Sequence, residues 1–94
     1  ENFGNAVHTA FSTDLTARRV LITGCGPVGL MTIMVAKAAG AHTIYATDIS
    51  NYRLDIARKL GADFAINVTQ ENPVQFIMDD SEGEGVDVLL EMSG

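Results

Sequence analysis

The chain has 94 residues, 47% of them apolar, and a formal net charge of -6 from twelve acids against six Lys and Arg. That length holds one domain at most, that apolar content excludes a disordered tail, and the acidic balance excludes a nucleic-acid or anionic-membrane surface, both of which need clustered positive charge. A single cysteine, Cys25, leaves no internal disulfide, and the longest apolar run, Val28 to Ala36, is far too short to span a bilayer.

Asn5 to Phe11 has helical spacing and leads into the polar linker "STDLTARR". Arg19 to Gly24, "RVLITG", is β-branched and apolar, the pattern of a buried parallel strand. A glycine turn follows, with Pro27 where the first turn of a helix tolerates it, and Leu30 to Ala39 continues as a nearly all-apolar helix, expected to be buried on more than one side and ended by Gly40. His42 to Asp48 is a second strand. Ser50 is placed to cap a helix from Asn51 to Leu60, where Asp55 and Lys59 have the spacing of an ion pair, and Gly61 stops it. Asp63 to Asn67 is a third strand, Asn72 to Asp80 a helix with Pro73 at its start, "SEGEG" a turn, and Val86 to Gly94 a fourth strand.

Strands alternating with helices of about ten residues mean βαβ units and a parallel sheet. Right-handed crossovers then favour a three-layer, Rossmann-type doubly wound α/β fold, here partial, with about four strands in the order 3-2-1-4. Its topological switch point lies between the first and fourth strands, at "ITGCGPVG" and "EMSG".

Gly24, Gly26 and Gly29 match G-x-G-x-x-G between a strand and a helix. In that pattern the first glycine permits a tight turn, the second lets a pyrophosphate approach the backbone, and the third lets helix and strand pack closely. Glycine turns are common, and a turn with tight packing is the plain alternative. Asp48 ends the second strand nineteen residues after Gly29, where a carboxylate can accept from both hydroxyls of an adenosine ribose and repel a 2′-phosphate. The alternative for Asp48 is a solvated turn acid. NAD is favoured over NADP, although Arg53 beyond the second strand is of the kind that can hold a 2′-phosphate; with Asp48 in place it reads as an adenine-stacking or bridging group. A methyltransferase using S-adenosylmethionine shares the architecture, but its loop is usually acidic before the first glycine and runs G-x-G-x-G, whereas Thr23 precedes Gly24 here.

Cys25 at a helix start can be a reactive thiolate or a small buried residue, and without a histidine nearby in sequence the second is expected. His8 and His42 each lack a second ligand at metal spacing. Met31, Met34, Met78 and Met92 read as core filler, and Glu82 and Glu84 as solvated turn acids.

At "FGNAVHTAFSTDL", "VLITGCGPVGLM", "TDISNYRLDIARKLGAD" and "GVDVLLEMSG" the chain resembles the medium-chain, zinc-dependent dehydrogenase family, over essentially its whole length. "GNAVHT" and "LEMSG" point to members that oxidise L-threonine more than to those acting on sorbitol or other alcohols. The resemblance implies oxidation of L-threonine, or another small alcohol, with hydride passing to NAD, in a cytoplasmic homotetramer carrying catalytic and structural zinc. It implies a cofactor site at Gly24, Gly26, Pro27, Val28, Gly29, Asp48 and Arg53. Glu1 matches an acid beside the family's catalytic zinc, an occasional metal ligand or part of a proton relay, although Asn2 stands where the family usually has proline. The remaining zinc ligands have no counterpart in this sequence. Both ends read as cut, so a segment of a longer protein is expected. Residues 1-17 lead in, as a helix and linker, from a catalytic domain, and residues 18-94 form a partial NAD-binding domain expected to be inactive alone; a non-catalytic nucleotide-binding half-domain is the alternative. An unpaired fourth strand would then expose Val86, Val88, Leu89 and Leu90 on an edge prone to self-association.

Overall fold

The computed structural model describes residues 14–93. Glu1, His8 and the helix expected over Asn5 to Phe11 lie outside the described residues. Four strands form one parallel sheet: β1 (Arg19–Thr23), β2 (Thr43–Asp48), β3 (Phe64–Asn67) and β4 (Val88–Glu91). Their order is β3-β2-β1-β4, as the alternation of elements predicts. Three helices connect them: α1 (Pro27–Ala38), α2 (Asn51–Leu60) and α3 (Pro73–Asp80).

The helices cover both faces of the sheet. Val20, Ile22, Ile44, Ala46 and Leu90 pack against Ile33 and Ala36 of α1 and Leu54 and Ala57 of α2. On the opposite face Tyr45 and Ile66 meet Ile77 of α3, with Leu21, Phe64, Phe76 and Val86 around them. Tyr45 is stacked on Phe64 at 5.6 Å between centroids and stands edge-on to Phe76 at 6.5 Å. Its hydroxyl donates to Asp80 Oδ2 at 2.6 Å. This arrangement makes three layers, and the α1/α2 face carries most of the apolar burial.

Turn chemistry sets the helix ends. Ser50 Oγ accepts from Arg53 N at 3.2 Å, and Gly61 closes α2 with φ +130. Asn72 Oδ1 accepts from the N–H groups of Val74 and Gln75 at the start of α3. Gly40, at φ +85, follows α1.

Several elements differ in detail from the pattern reading. α1 starts at Pro27, the residue expected in its first turn, and ends at Ala38, one residue before the expected Ala39. Only one stripe of it, Gly29, Thr32, Ile33 and Ala36, is fully buried. Met34 and Met78 are about two-fifths exposed, at 41% and 40%, so neither fills the core. Asp55 pairs with Arg58 at 2.7 Å rather than with Lys59; the other guanidinium nitrogen of Arg58 reaches Ala65 O, a second anchor that a lysine cannot make. Glu84 is exposed but holds Arg19 at 2.9 Å. β4 is shorter than expected because β1, its partner, ends where Gly24 turns away at φ +91. Of the four apolar residues expected on that edge, Leu89 is exposed, Val86 and Val88 are half-buried, and Leu90 is buried under α1.

A Cβ at Gly29 would lie 1.7 Å from the Gly24 carbonyl oxygen, so Gly29→Ala is expected to cost about 3 kcal/mol or more in denaturant unfolding; a midpoint equal to that of the parent would refute the close packing. Burial, then the hydrogen bond to Asp80 and its charge, push the Tyr45 phenol from 10.0 up to about 12. A raised value stabilises the fold below the unfolded pKa and loses that contribution as pH climbs through the folded one. Tyr45→Phe should therefore cost about 1 kcal/mol at neutral pH and show a shallower loss of stability between about pH 10 and 12.

Candidate functional site

The carboxyl ends of β1, β2 and β4 open into a cleft of about 430 Å³, lined by Thr23, Gly24, Gly26, Thr47, Asp48, Ile49, Arg53, Val68, Met92 and Ser93. It sits where the sheet order reverses, because the chain leaves β1 toward β2 on one side and returns as β4 on the other.

The glycine turn forms one wall, and its three glycines do different things. Gly24 has φ +91, and a Cβ there would lie 2.5 Å from the Ser93 Cα. Its N–H donates to Thr47 O at 2.8 Å, tying the turn to β2. Gly29 is the buried contact to the Gly24 carbonyl described above. A Cβ at Gly26 would meet nothing within 4 Å, so neither packing nor backbone strain (φ −73) requires a glycine there. Gly26 is also the N-cap of α1 and provides no side-chain cap. The Val28 and Gly29 N–H groups, in the first turn, therefore have no acceptor within the helix, and the positive end of its dipole faces the open space. Pro27 is exposed at the helix start, and Val28 is half-buried outside the cleft lining.

Asp48 forms the opposite wall. Its Oδ2 accepts from Cys25 N at 2.7 Å, and its Oδ1 from Ile49 N at 2.6 Å and Ser50 N at 3.0 Å. Partial burial alone would raise the carboxyl; the N–H groups of Cys25, Ser50 and Ile49, with the Arg53 charge, outweigh it and hold the group below the usual carboxylate range. A carboxylate has about four acceptor directions, and three are taken. Arg53 is exposed at the cleft, close enough for its charge to act on Asp48. Ile49 and Val68 are exposed apolar residues at the same end, 68% and 42% accessible.

Cys25 is fully buried, and its thiol is pushed up to about 12, first by burial and then by the Asp48 charge, with Arg53 opposing. It is the inert packing residue expected rather than a nucleophile. His42 Nδ1 lies 2.6 Å from Thr43 Oγ1. Among the described residues no group of three or more His, Cys, Asp or Glu is placed to hold a metal ion, so they do not fit a zinc site. No helix among them is long and apolar enough to cross a membrane.

Two features were not singled out by sequence. Glu91 Oε1, at the end of β4, accepts from Thr23 Oγ1 at 2.5 Å, from Ser93 N at 2.8 Å, and from Ser93 Oγ. Asn67, at the end of β3, is buried and bonds to two turns. Position at a strand end was the available signal for both, but only Asp48 had a spacing to the glycines that marked it.

A family model described as zinc-binding dehydrogenase matches residues 27–94. The chain belongs to that family. It is 57% identical over 94 residues to an L-threonine 3-dehydrogenase of Symbiobacterium thermophilum, covering all of this chain and 27% of that one. A second L-threonine 3-dehydrogenase, from Pseudoalteromonas atlantica, is 53% identical over 92 residues, 98% of this chain and 27% of its own. Among solved structures, the alcohol dehydrogenase TADH from Thermus sp. ATN1 superposes with a TM-score of 0.86 at 37% identity, over 96% of this chain and 26% of that one. The chain thus spans about 27% of the length of these curated family members.

The Glu91 carboxyl is lowered from 4.5 to about 2, by the Ser93 hydroxyl first, then by Thr23 Oγ1 and the Ser93 N–H. A lowered value stabilises the fold above the unfolded pKa and loses that contribution as pH falls toward the folded one. Glu91→Gln is expected to be less stable than the parent at neutral pH and to converge with it between about pH 5 and 2 in acid unfolding; parallel acid limbs would refute the network.

Proposed function

We propose that this chain is the NAD-binding segment of a zinc-dependent dehydrogenase that oxidises L-threonine to 2-amino-3-ketobutyrate, giving NADH and a proton. The observation that carries the cofactor assignment is Gly26. It is a glycine that neither φ nor packing requires, at an uncapped helix start, facing a cleft with an ionised carboxylate across it. A pyrophosphate in that space explains why no side chain occupies it. The threonine assignment comes from the names of the two curated relatives and from the "LEMSG" and "GNAVHT" segments.

In this reading NAD, when bound, would supply the hydride acceptor for the alcohol carbon. The residues of this chain bind and orient the other half of the cofactor. The N–H groups at the start of α1 receive the pyrophosphate, and Ile49 and Val68 provide apolar walls for the adenine. Asp48 has one free acceptor direction, so one ribose hydroxyl is taken as the site stands. A second hydroxyl requires the Cys25 N–H to release its bond. The same ionised carboxylate repels a 2′-phosphate, which favours NAD over NADP, while Arg53 stacks beside the adenine. The zinc belongs to residues other than those described, with Glu1 beside it as a relay or occasional ligand. Residues 1-17 then lead in from the catalytic domain and residues 18-94 belong to the cofactor domain of a cytoplasmic homotetramer.

Calorimetric titration with NAD, NADP and S-adenosylmethionine tests the assignment. NAD is expected to bind most tightly. Gly26→Ala should leave the melting temperature within about 2 °C of the parent, since its Cβ meets nothing, while weakening NAD at least tenfold. Asp48→Asn should weaken NAD about tenfold and narrow its advantage over NADP. Undiminished NAD binding by Gly26→Ala, or preference for S-adenosylmethionine, would overturn the reading.

A further inference from the structure

Asn67, at the carboxyl end of β3, uses every hydrogen-bonding site of its side chain. It is only 6% exposed. Nδ2 donates to the Ile49 carbonyl at 3.2 Å and to Asn51 Oδ1 at 2.9 Å. Oδ1 accepts from Thr69 N at 2.9 Å and Thr69 Oγ1 at 2.6 Å. A carboxamide has two donors and two acceptor directions, so the group is saturated. Its orientation is fixed too, because a flip would set oxygen against the Ile49 carbonyl and nitrogen against the Thr69 donors.

The four bonds join two turns that have no other side-chain tie among the bonds described. One is the turn after β2, which carries Ile49; the other follows β3 and carries Val68. Ile49 is thereby held at both ends of its backbone: its N–H by Asp48 at 2.6 Å, and its carbonyl by Asn67. Val68 is held between Asn67 and Thr69, and its N–H donates to the Asp48 carbonyl at 3.2 Å. Ile49 and Val68 line the cleft, whereas Asn67 itself does not.

We propose that Asn67 is a positioning residue for the adenosine end of the cleft, setting the separation of the apolar walls formed by Ile49 and Val68. The inference rests on the dinucleotide reading of this cleft. An aspartate would keep the shape but lose both donors, leaving the Ile49 carbonyl unpaired and facing a like-signed oxygen. An alanine would remove all four bonds. In either case the walls lose their fixed spacing although the strands remain.

The test is calorimetric titration of the protein with AMP and with NAD, at a temperature where every variant is fully folded, so that global stability does not enter the Kd. Asn67→Asp and Asn67→Ala are compared with Tyr45→Phe, a destabilised control on the opposite face of the sheet. The expected result is at least tenfold weaker binding of both ligands by the Asn67 variants and binding within twofold of the parent by the control. AMP and NAD binding within twofold of the parent in the Asn67 variants would overturn the positioning role and leave the site itself standing. A parent protein that binds neither ligand would overturn the dinucleotide reading and this inference with it. Should the Asn67 variants not fold, Thr69→Val carries the test, since it deletes one of the four bonds from an exposed side chain. Two- to fivefold weaker AMP supports the role, and an unchanged Kd overturns it.

Discussion

The structure turns on a backbone-to-backbone approach at the switch point. The first turn of α1 rests on the Gly24 carbonyl at Gly29, and Gly24 in turn abuts the main chain of Ser93 after β4. Three segments that must diverge in space are packed there with no side chain between them. Their contact sets the tilt of α1 over the sheet, the point where β1 stops, and the width of the cleft above. Gly26 lies two residues from this contact but takes no part in it, which is why the space in front of it is open. One six-residue turn thus holds both the closest approach at any glycine among the described residues and a glycine with open space in front of it.

The electrostatics follow from that geometry. Because β1 ends at Gly24, the next N–H, that of Cys25, faces across to Asp48 rather than continuing a ladder. The carboxylate is met by three backbone donors from two turns, so it stays ionised despite partial burial. The same proximity keeps the Cys25 thiol neutral, since burial and the Asp48 charge act in the same direction on it. Two titratable groups a few residues from a helix start therefore sit in fixed and opposite states.

Much of this was legible in the sequence where a single residue carries the signal. Ser50 and Gly61 bracket α2 because a short side-chain acceptor at the start and a glycine free to take positive φ at the end are local signals that need no distant partner. The strand order follows from alternation and handedness alone. The glycine spacing and Asp48 marked the cleft. What was not legible depends on partners distant in sequence. Asp55 chose Arg58 over Lys59 because a carbonyl of β3 lay within reach of the guanidinium. Met34 and Met78 are as apolar as Met31, and only the packing of the helices decides which of them faces outward. Glu91 and Asn67 look like ordinary strand-end residues until the hydroxyls and carbonyls around them are seen.

The pairing of Thr23 with Glu91 spans 68 residues of chain, whereas that of Cys25 with Asp48 spans 23 and that of Asn67 with Ile49 spans 18. The two sides of the cleft are therefore assembled on different terms. The wall between β1 and β2 closes through short loops, whereas the bond from Thr23 to Glu91 closes the longest stretch of chain of the three. A molecule reaching from Asp48 to the end of β4 would therefore act as a clasp, fastening together ends that the covalent chain alone connects only through 68 residues.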